Sequence, residues 1–573
     1  MMARPVERSN SWNDYGHRTS SMNQKGSWKR HRYPVQSSKM DPAPQIVQSV
    51  NASTPTQLPK YIAASMNGEK FQRRGRNLIV CLDGTGDKFD ADNSNIVHLV
   101  SCLKKDDPNQ VTYYQSGIGT YDGGGLSNGV RAGLDMAVGS GLGVHIQDAY
   151  HFLMQTYREG DKICLFGFSR GAYTARCLAG MLHKVGLLPA HNIAQIPFAY
   201  QFYKDDTQTG WDMSRDFKST FCIDVSVYFV GVFDCVASVG FIPRKLPFSS
   251  TPTSRTGHFR HAMALDEHRS KFKCSQWQRN DGTVYDTPEK IVPSEREPGT
   301  NGSSRGSTSK ETSSTTSESD LEKMDAENLR MHEKADAERK MRNERKGIES
   351  DVVEVWFMGC HADVGGGAVK NEVRHKLSNI PLRWMLRQTF ECNTGIIFNT
   401  AKLAECGLDV HTLHPIYYRL QKPVMGPPPT LMHKYRKGIL SPIQKRSSAL
   451  EPQDDRDDGV YYVKYFDDGH SSSAKEHWVP EQVEDHFDAK AGINDQLVQA
   501  RGWWVLEFWP IKYRVQKKDS DAWEKVVGVN RGRFRAIQEA EPNLHWTVHH
   551  SMLEKQYKMR GRMGRNCVAQ IVV

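Results

Sequence analysis

Residues 162–186 read KICLFGFSRGAYTARCLAGMLHKVG, and this stretch decides the fold. Its first part, residues 162–167, is short and almost continuously apolar, the pattern of a strand buried on both faces of a parallel sheet. The part after Gly171 has helical composition and length. Between them lies Gly167-Phe168-Ser169-Arg170-Gly171. A serine is a nucleophile only when its hydroxyl is exposed and oriented, and a strand, a sharp turn and a helix supply that geometry. The flanking glycines let the turn close, and the helix N-terminus adds a positive field where an oxyanion would form. GxSxG is common by chance, so the strand and helix around it carry the assignment of Ser169.

Outward from this elbow, residues 77–82 (NLIVCL), 225–233 (VSVYFVGVF) and 352–359 (VVEVWFMG) are further apolar runs, and 111–114 is a weaker one. Separated by helical patterns, they predict an α/β-hydrolase fold: a mostly parallel sheet with helices on both faces. In that fold the nucleophile is followed by an Asp or Glu and then a His, each at a strand end. Asp234 closes the run 225–233 and His361 opens HADVGGG after the run 352–359. Both fit the order. Two competitors stay open, Asp363 as the acid and His261 as the base. They rank second because HAMALDEHR, residues 261–269, reads as a helix carrying Asp266 and Glu267 away from a strand end. The loop Asp83-Gly84-Thr85-Gly86 follows the first clear strand and, with the N–H of Arg170, is the candidate oxyanion and substrate-binding element.

Other chemistries are excluded or disfavoured. An aspartyl phosphatase would need an acid at position 81, which is Cys81, and GIGTYDGGGLSNG (117–129) lacks the ending of a P-loop. That glycine-rich stretch reads as a mobile loop at the pocket rim. No HExxH, paired CxxC or EF-hand spacing is present, and His549-His550 has no partner at ligand spacing, so neither metal nor cofactor is expected. The eleven cysteines are scattered singly, several within apolar runs, as reduced core thiols of a cytoplasmic protein would be. Cys360, beside the candidate histidine, reads as a buried strand-end residue.

The net charge of +10 is almost wholly that of residues 1–76, which hold 13 Lys and Arg against four acidic residues. The basic balance therefore describes a tail and not a specific nucleic-acid-binding domain. Residues 1–72 are expected to be disordered, because Ser, Asn, Gln and Pro cannot bury enough surface to offset ordering entropy. A solvated leader is the favoured reading, with polybasic contact to anionic membrane lipid or RNA as the functional one. No targeting h-region and no bilayer-length apolar run occur, so a soluble protein is expected. Residues 276–350 read as a low-complexity and charged insertion, splitting a catalytic domain of 73–275 and 351–440. Residues 441–573 read as an appended aromatic-rich module or lid, with Trp503, Trp504 and Trp509 expected in its core and a lipid-facing patch as the alternative.

Four segments together, LIVCLDGTGDKFD, LFGFSRGAYTAR, VGVFDCVASVG and WFMGCHADVGGG, resemble the catalytic-domain family of the first class of type VI secretion phospholipase effectors, which also includes uncharacterised fungal proteins. The resemblance covers residues 72–275 and 351–440. It implies an α/β-hydrolase with a Ser/Asp/His site, the motif positions falling on Ser169, Asp234 and His361, and in the bacterial members phospholipid deacylation. The function expected from the sequence is acyl-ester hydrolysis on a lipid or other hydrophobic ester. The alternative is a non-catalytic scaffold of the same fold.

Overall fold

The computed structural model describes residues 58–65, 75–117, 141–236, 255–277, 350–414, 416–420, 429–437, 460–462, 465–467, 480–518 and 520–573. Its centre is an eight-stranded sheet. In chain order the strands are β1 (Asn77–Leu82), β2 (Gln110–Gln115), β3 (Lys162–Phe168), β4 (Val227–Phe233), β5 (Thr256–Ala264), β6 (Asp351–Phe357), β7 (Asn543–His545) and β8 (Gln570–Val572). Their spatial order is β2-β1-β3-β4-β5-β6-β7-β8, and every pairing is parallel. All the strands therefore end on one edge, where the loops that follow them meet.

The runs lack polar alternation because both faces are covered. On β1, Leu78, Val80 and Leu82 face one apolar cluster, while Ile79 and Cys81 face another. The helices that carry the argument are α1 (Asn95–Cys102), α2 (Leu142–Thr156), α3 (Ser169–Val185), α4 (His361–Gly365), α5 (Asn379–Glu391), α6 (Pro480–Asp488) and α7 (Trp546–Leu553). Helices α2 and α3 pack on the first face; α1 and α5 pack on the second. The chain is an α/β protein with a parallel sheet between helical layers, as its apolar runs predict.

Three readings need correction. HAMALDEHR is not a helix: residues 261–264 lie in β5, hydrogen-bonded to β4 on one side and β6 on the other. Pairing on both sides outweighs the helix propensity of its Ala, Met and Leu residues. Residues 58–65 of the basic leader are built in. Tyr61–Ala63 is a strand paired with Ile397–Asn399, and Ile62 and Ala64 enter the core. The C-terminal segment is not separable from the sheet, since β7 pairs with β6 (Asn543 with Val355, Leu544 with Trp356) and β8 pairs with β7. Strands of three residues carry no period for a sequence reading to find.

The leader up to residue 57, residues 66–72, residues 118–129 of the glycine-rich loop and residues 278–349 of the insertion lie outside the described residues. The eleven cysteines are free thiols. Among the described residues no helix is long and apolar enough to cross a membrane.

Candidate active site

Strand β3 ends at Phe168, and Ser169 opens α3 with φ +58°, in the left-handed region. A side chain held there is backbone strain of the kind a nucleophile elbow stores. The neighbouring glycines have steric reasons. A Cβ on Gly171 would lie 2.3 Å from the carbonyl oxygen of Leu82, and one on Gly167 would lie 2.6 Å from the Cα of Ala172. The turn can therefore lie flat against the end of β1 only without those side chains.

Strand β4 ends opposite it, with Phe168 in register with Phe233. The next residue on that side is Asp234, also at positive φ (36°) and fully buried. From the end of β6, Gly359 and Cys360 lead into α4, whose first residue is His361. The three side chains form a line. His361 Nε2 is 2.7 Å from Ser169 Oγ, and His361 Nδ1 is 2.5 Å from Asp234 Oδ2. With Nδ1 facing a carboxylate, the ring hydrogen sits on Nδ1, and Nε2 is left as the acceptor for the serine hydroxyl. Burial first, with the Arg269 charge beside it, lowers the His361 pKa against the opposing pull of Asp234, so the imidazole is neutral near neutral pH.

The rings of Phe168 and Phe272 flank His361 at 4.8 and 4.9 Å. The HADVGGG glycines are part of this packing. A Cβ on Gly365 would fall 1.8 Å from the Phe168 ring.

The structure adds a residue that the sequence did not single out, Arg535. Its Nη1 donates to Asp234 Oδ1 at 2.6 Å and its Nη2 to Oδ2 at 2.9 Å, while the Ala264 N–H donates to Oδ1 at 2.9 Å. Burial alone would raise the Asp234 carboxyl, but Arg535 and His361 outweigh it and hold the group well below the usual carboxylate range. Arg535 lies 301 residues from Asp234 along the chain, in GRFRAI, which has no motif. Glu267 is a second addition. It is buried, paired with Arg269, and accepts the His361 N–H at 3.2 Å. Arg269 and its neighbours hold the Glu267 carboxyl down at about 2 against the penalty of burial.

The competing candidates stand elsewhere. His261 Nε2 accepts the Cys235 N–H at 3.0 Å, and its Nδ1 is 2.9 Å from Glu354 Oε1. Both ring nitrogens are thus committed to the backbone and a buried carboxylate. Asp363 caps α4 by accepting the Cys360 N–H, and it binds Asn494 through both oxygens. Burial pushes it up to about 6.

The 83–86 loop packs against the start of α3, where a Cβ on Gly171 would lie 2.4 Å from the Asp83 carbonyl oxygen. The Asp83 carboxylate is a brace, accepting from Ser94 Oγ, Tyr114 Oη and the Gly84 N–H. The Gly84 N–H is thereby engaged. Thr85 Oγ1 is buried with no hydrogen-bond partner among the described residues.

The tryptophans of 503–509 do not form a core. The stretch makes two short helical turns anchored by Glu507, whose carboxylate accepts from Ser270, Asn530 and Gly532. Trp504 and Trp509 remain 39% and 51% exposed. Trp503 alone reaches inward, its ring 5.5 Å from that of Phe272.

Residues 76–388 match the profile of the T6SS phospholipase effector Tle1-like catalytic domain. An uncharacterised protein of Saccharomyces cerevisiae is 28% identical over 561 residues, covering 85% of this chain and 80% of its own. A crystal structure of an uncharacterised protein from Pseudomonas aeruginosa is 16% identical, with 75% of this chain and 64% of that one covered at a TM-score of 0.30. The Tle1 effector bound to the VgrG spike of the type 6 secretion system is 18% identical, with 35% and 47% covered at a TM-score of 0.20. The chain thus spans less than two thirds of either solved structure. With the profile matched over more than half of its 573 residues, the chain belongs to the Tle1-like family of phospholipase-effector catalytic domains.

Proposed function

We propose that this protein is a serine hydrolase that cleaves acyl esters of lipids, phospholipids foremost, through an acyl-enzyme. The observation that carries this reading is the unbroken line of contacts from Ser169 Oγ through His361 to Asp234 on a strained elbow. Family membership supports a lipid substrate. As Ser169 Oγ attacks the ester carbonyl carbon, its proton passes to His361 Nε2. The tetrahedral intermediate collapses by releasing the alcohol, which takes that proton, and water then hydrolyses the acyl-serine by the same route. Asp234 fixes the tautomer of His361 and stabilises its charged form. The N–H of Arg170 at the start of α3 and the Thr85 end of the 83–86 loop form the oxyanion cradle in this reading, while Asp83 and Gly84 shape that loop from within. Arg535 is a positioning residue, keeping Asp234 ionised and aimed. The catalytic unit therefore takes in the C-terminal segment as well as the two stretches that flank the insertion.

The test is turnover of a panel of phospholipids and simple esters, with fluorophosphonate labelling, by the wild type and Ser169→Ala. The variant should lose at least about ten-thousand-fold in kcat and all labelling while unfolding at nearly the same temperature. An unlabelled, inactive wild type would make the fold a scaffold.

A further inference from the structure

Helices α6 and α7 meet far from each other in sequence and bring three metal-ligating side chains together. His486 Nδ1 lies 3.0 Å from His550 Nε2, and His550 Nε2 lies 3.3 Å from Glu554 Oε1. All three ligand atoms fall within 4.8 Å of one another. A tetrahedral ion with bonds of about 2.0–2.1 Å holds its ligand atoms about 3.3 Å apart. The spacing found is thus close to that of a coordination shell. We propose that His486, His550 and Glu554 bind a zinc-class divalent cation, with water in the fourth position.

Several features prepare these groups for an ion. His550 and Glu554 are four residues apart on α7 and its C-cap, so they share a face. His486 is buried, with the Phe487 ring edge-on at 5.5 Å, and the Trp546 ring lies 5.8 Å from His550. Lys490 Nζ is 3.8 Å from the other oxygen of Glu554, Oε2, so the oxygen nearest the imidazoles is Oε1. Two imidazoles with one carboxylate suit zinc and its neighbours better than magnesium or calcium, which take oxygen shells.

A second cluster, His258, Asp351 and Cys392, shows what disqualifies such a group. There Arg260 Nη2 sits 2.6 Å from the Asp351 oxygen that faces His258, so a guanidinium already holds the cation's place. An ion on His486, His550 and Glu554 would clamp α6 to α7, which directly follows β7. It would tie the C-terminal segment to the sheet.

The test uses the full chain without a histidine tag, stripped with EDTA and titrated with Co2+ and then Zn2+. One equivalent of Co2+ should give the visible bands of a four-coordinate ion, bleached by Zn2+, and Zn2+ should raise Tm. His550→Ala and Glu554→Gln should each lose at least about tenfold in affinity and the Tm response, while His258→Ala should keep both. Glu554 is solvent-exposed, so its substitution leaves the fold intact. A wild type without a stoichiometric band, or the same band in Glu554→Gln and His550→Ala, would overturn the proposal and leave only a hydrogen bond between two histidines.

Discussion

At the scale of single residues, the proposed reaction requires a neutral His361. Burial is the largest influence on it and lowers its pKa below the ordinary imidazole value of about 6.5. A protonated ring cannot accept the serine proton. kcat/KM should therefore rise with pH through an inflection below about 6.5 and stay level above it. An inflection above that value would contradict the burial argument. Arg535 enters the same profile. Its positive charge disfavours the imidazolium, so Arg535→Met should move the inflection to higher pH. The same change leaves the Asp234 carboxylate buried without its guanidinium and should destabilise the protein by about 3–5 kcal/mol. Arg535→Lys should recover part of the stability, because it restores the charge but not the two-pronged contact. A variant with unchanged pH dependence would reduce Arg535 to a purely structural role.

At the scale of elements, α6 shows how an acidic segment becomes core. Its sequence, PEQVEDHFD, has the polarity of a solvated helix, yet Glu481, Glu484, Asp485, His486 and Asp488 are all buried. Helix α5 supplies the partners. Arg383 donates to Asp485 and Asp488 at 2.5 Å, and Arg387 grips Glu481 with two bonds of 2.7 and 2.6 Å. Despite Arg383, burial still pushes Asp485 up to about 7. Replacing one member of such a pair strands the others away from water. Arg383→Met should cost about 3–5 kcal/mol, read as a lower midpoint in urea, whereas exchanging the residues of the whole cluster for apolar ones should cost far less. A loss below about 1 kcal/mol would mean that water reaches these carboxylates.

At the scale of the whole molecule, residues 531–573 complete the central sheet. They supply β7, β8 and the guanidinium on Asp234. A chain truncated after residue 530 would expose the edge of β6 and leave Asp234 without its guanidinium. It should be insoluble or, where soluble, inactive and labile to protease, a result that limited proteolysis and ester turnover would read directly. A soluble, active truncation would return residues 531–573 to the status of an appendage.

Much of this molecule is written locally. The strand-elbow-helix of residues 162–186, the apolar runs at 77–82, 225–233 and 352–359, and the strand-end positions of Ser169, Asp234 and His361 could all be read from the sequence. Each depends on backbone chemistry within a few residues: an apolar run long enough to pair, a glycine where a Cβ cannot fit, a turn that exposes one hydroxyl. Tertiary structure alone decided what depends on distant pairing. The segment 261–264 became a strand because β4 and β6 hold both its edges, and the His261 ring there meets the Cys235 N–H and Glu354. Arg535 came to Asp234, and His486 to His550, across intervals of 301 and 64 residues. Burial turned the charges of α6 into core. No local pattern encodes a partner that arrives from another part of the chain, because hydrophobic periodicity reports which face of an element is buried and not which charged group will meet it there.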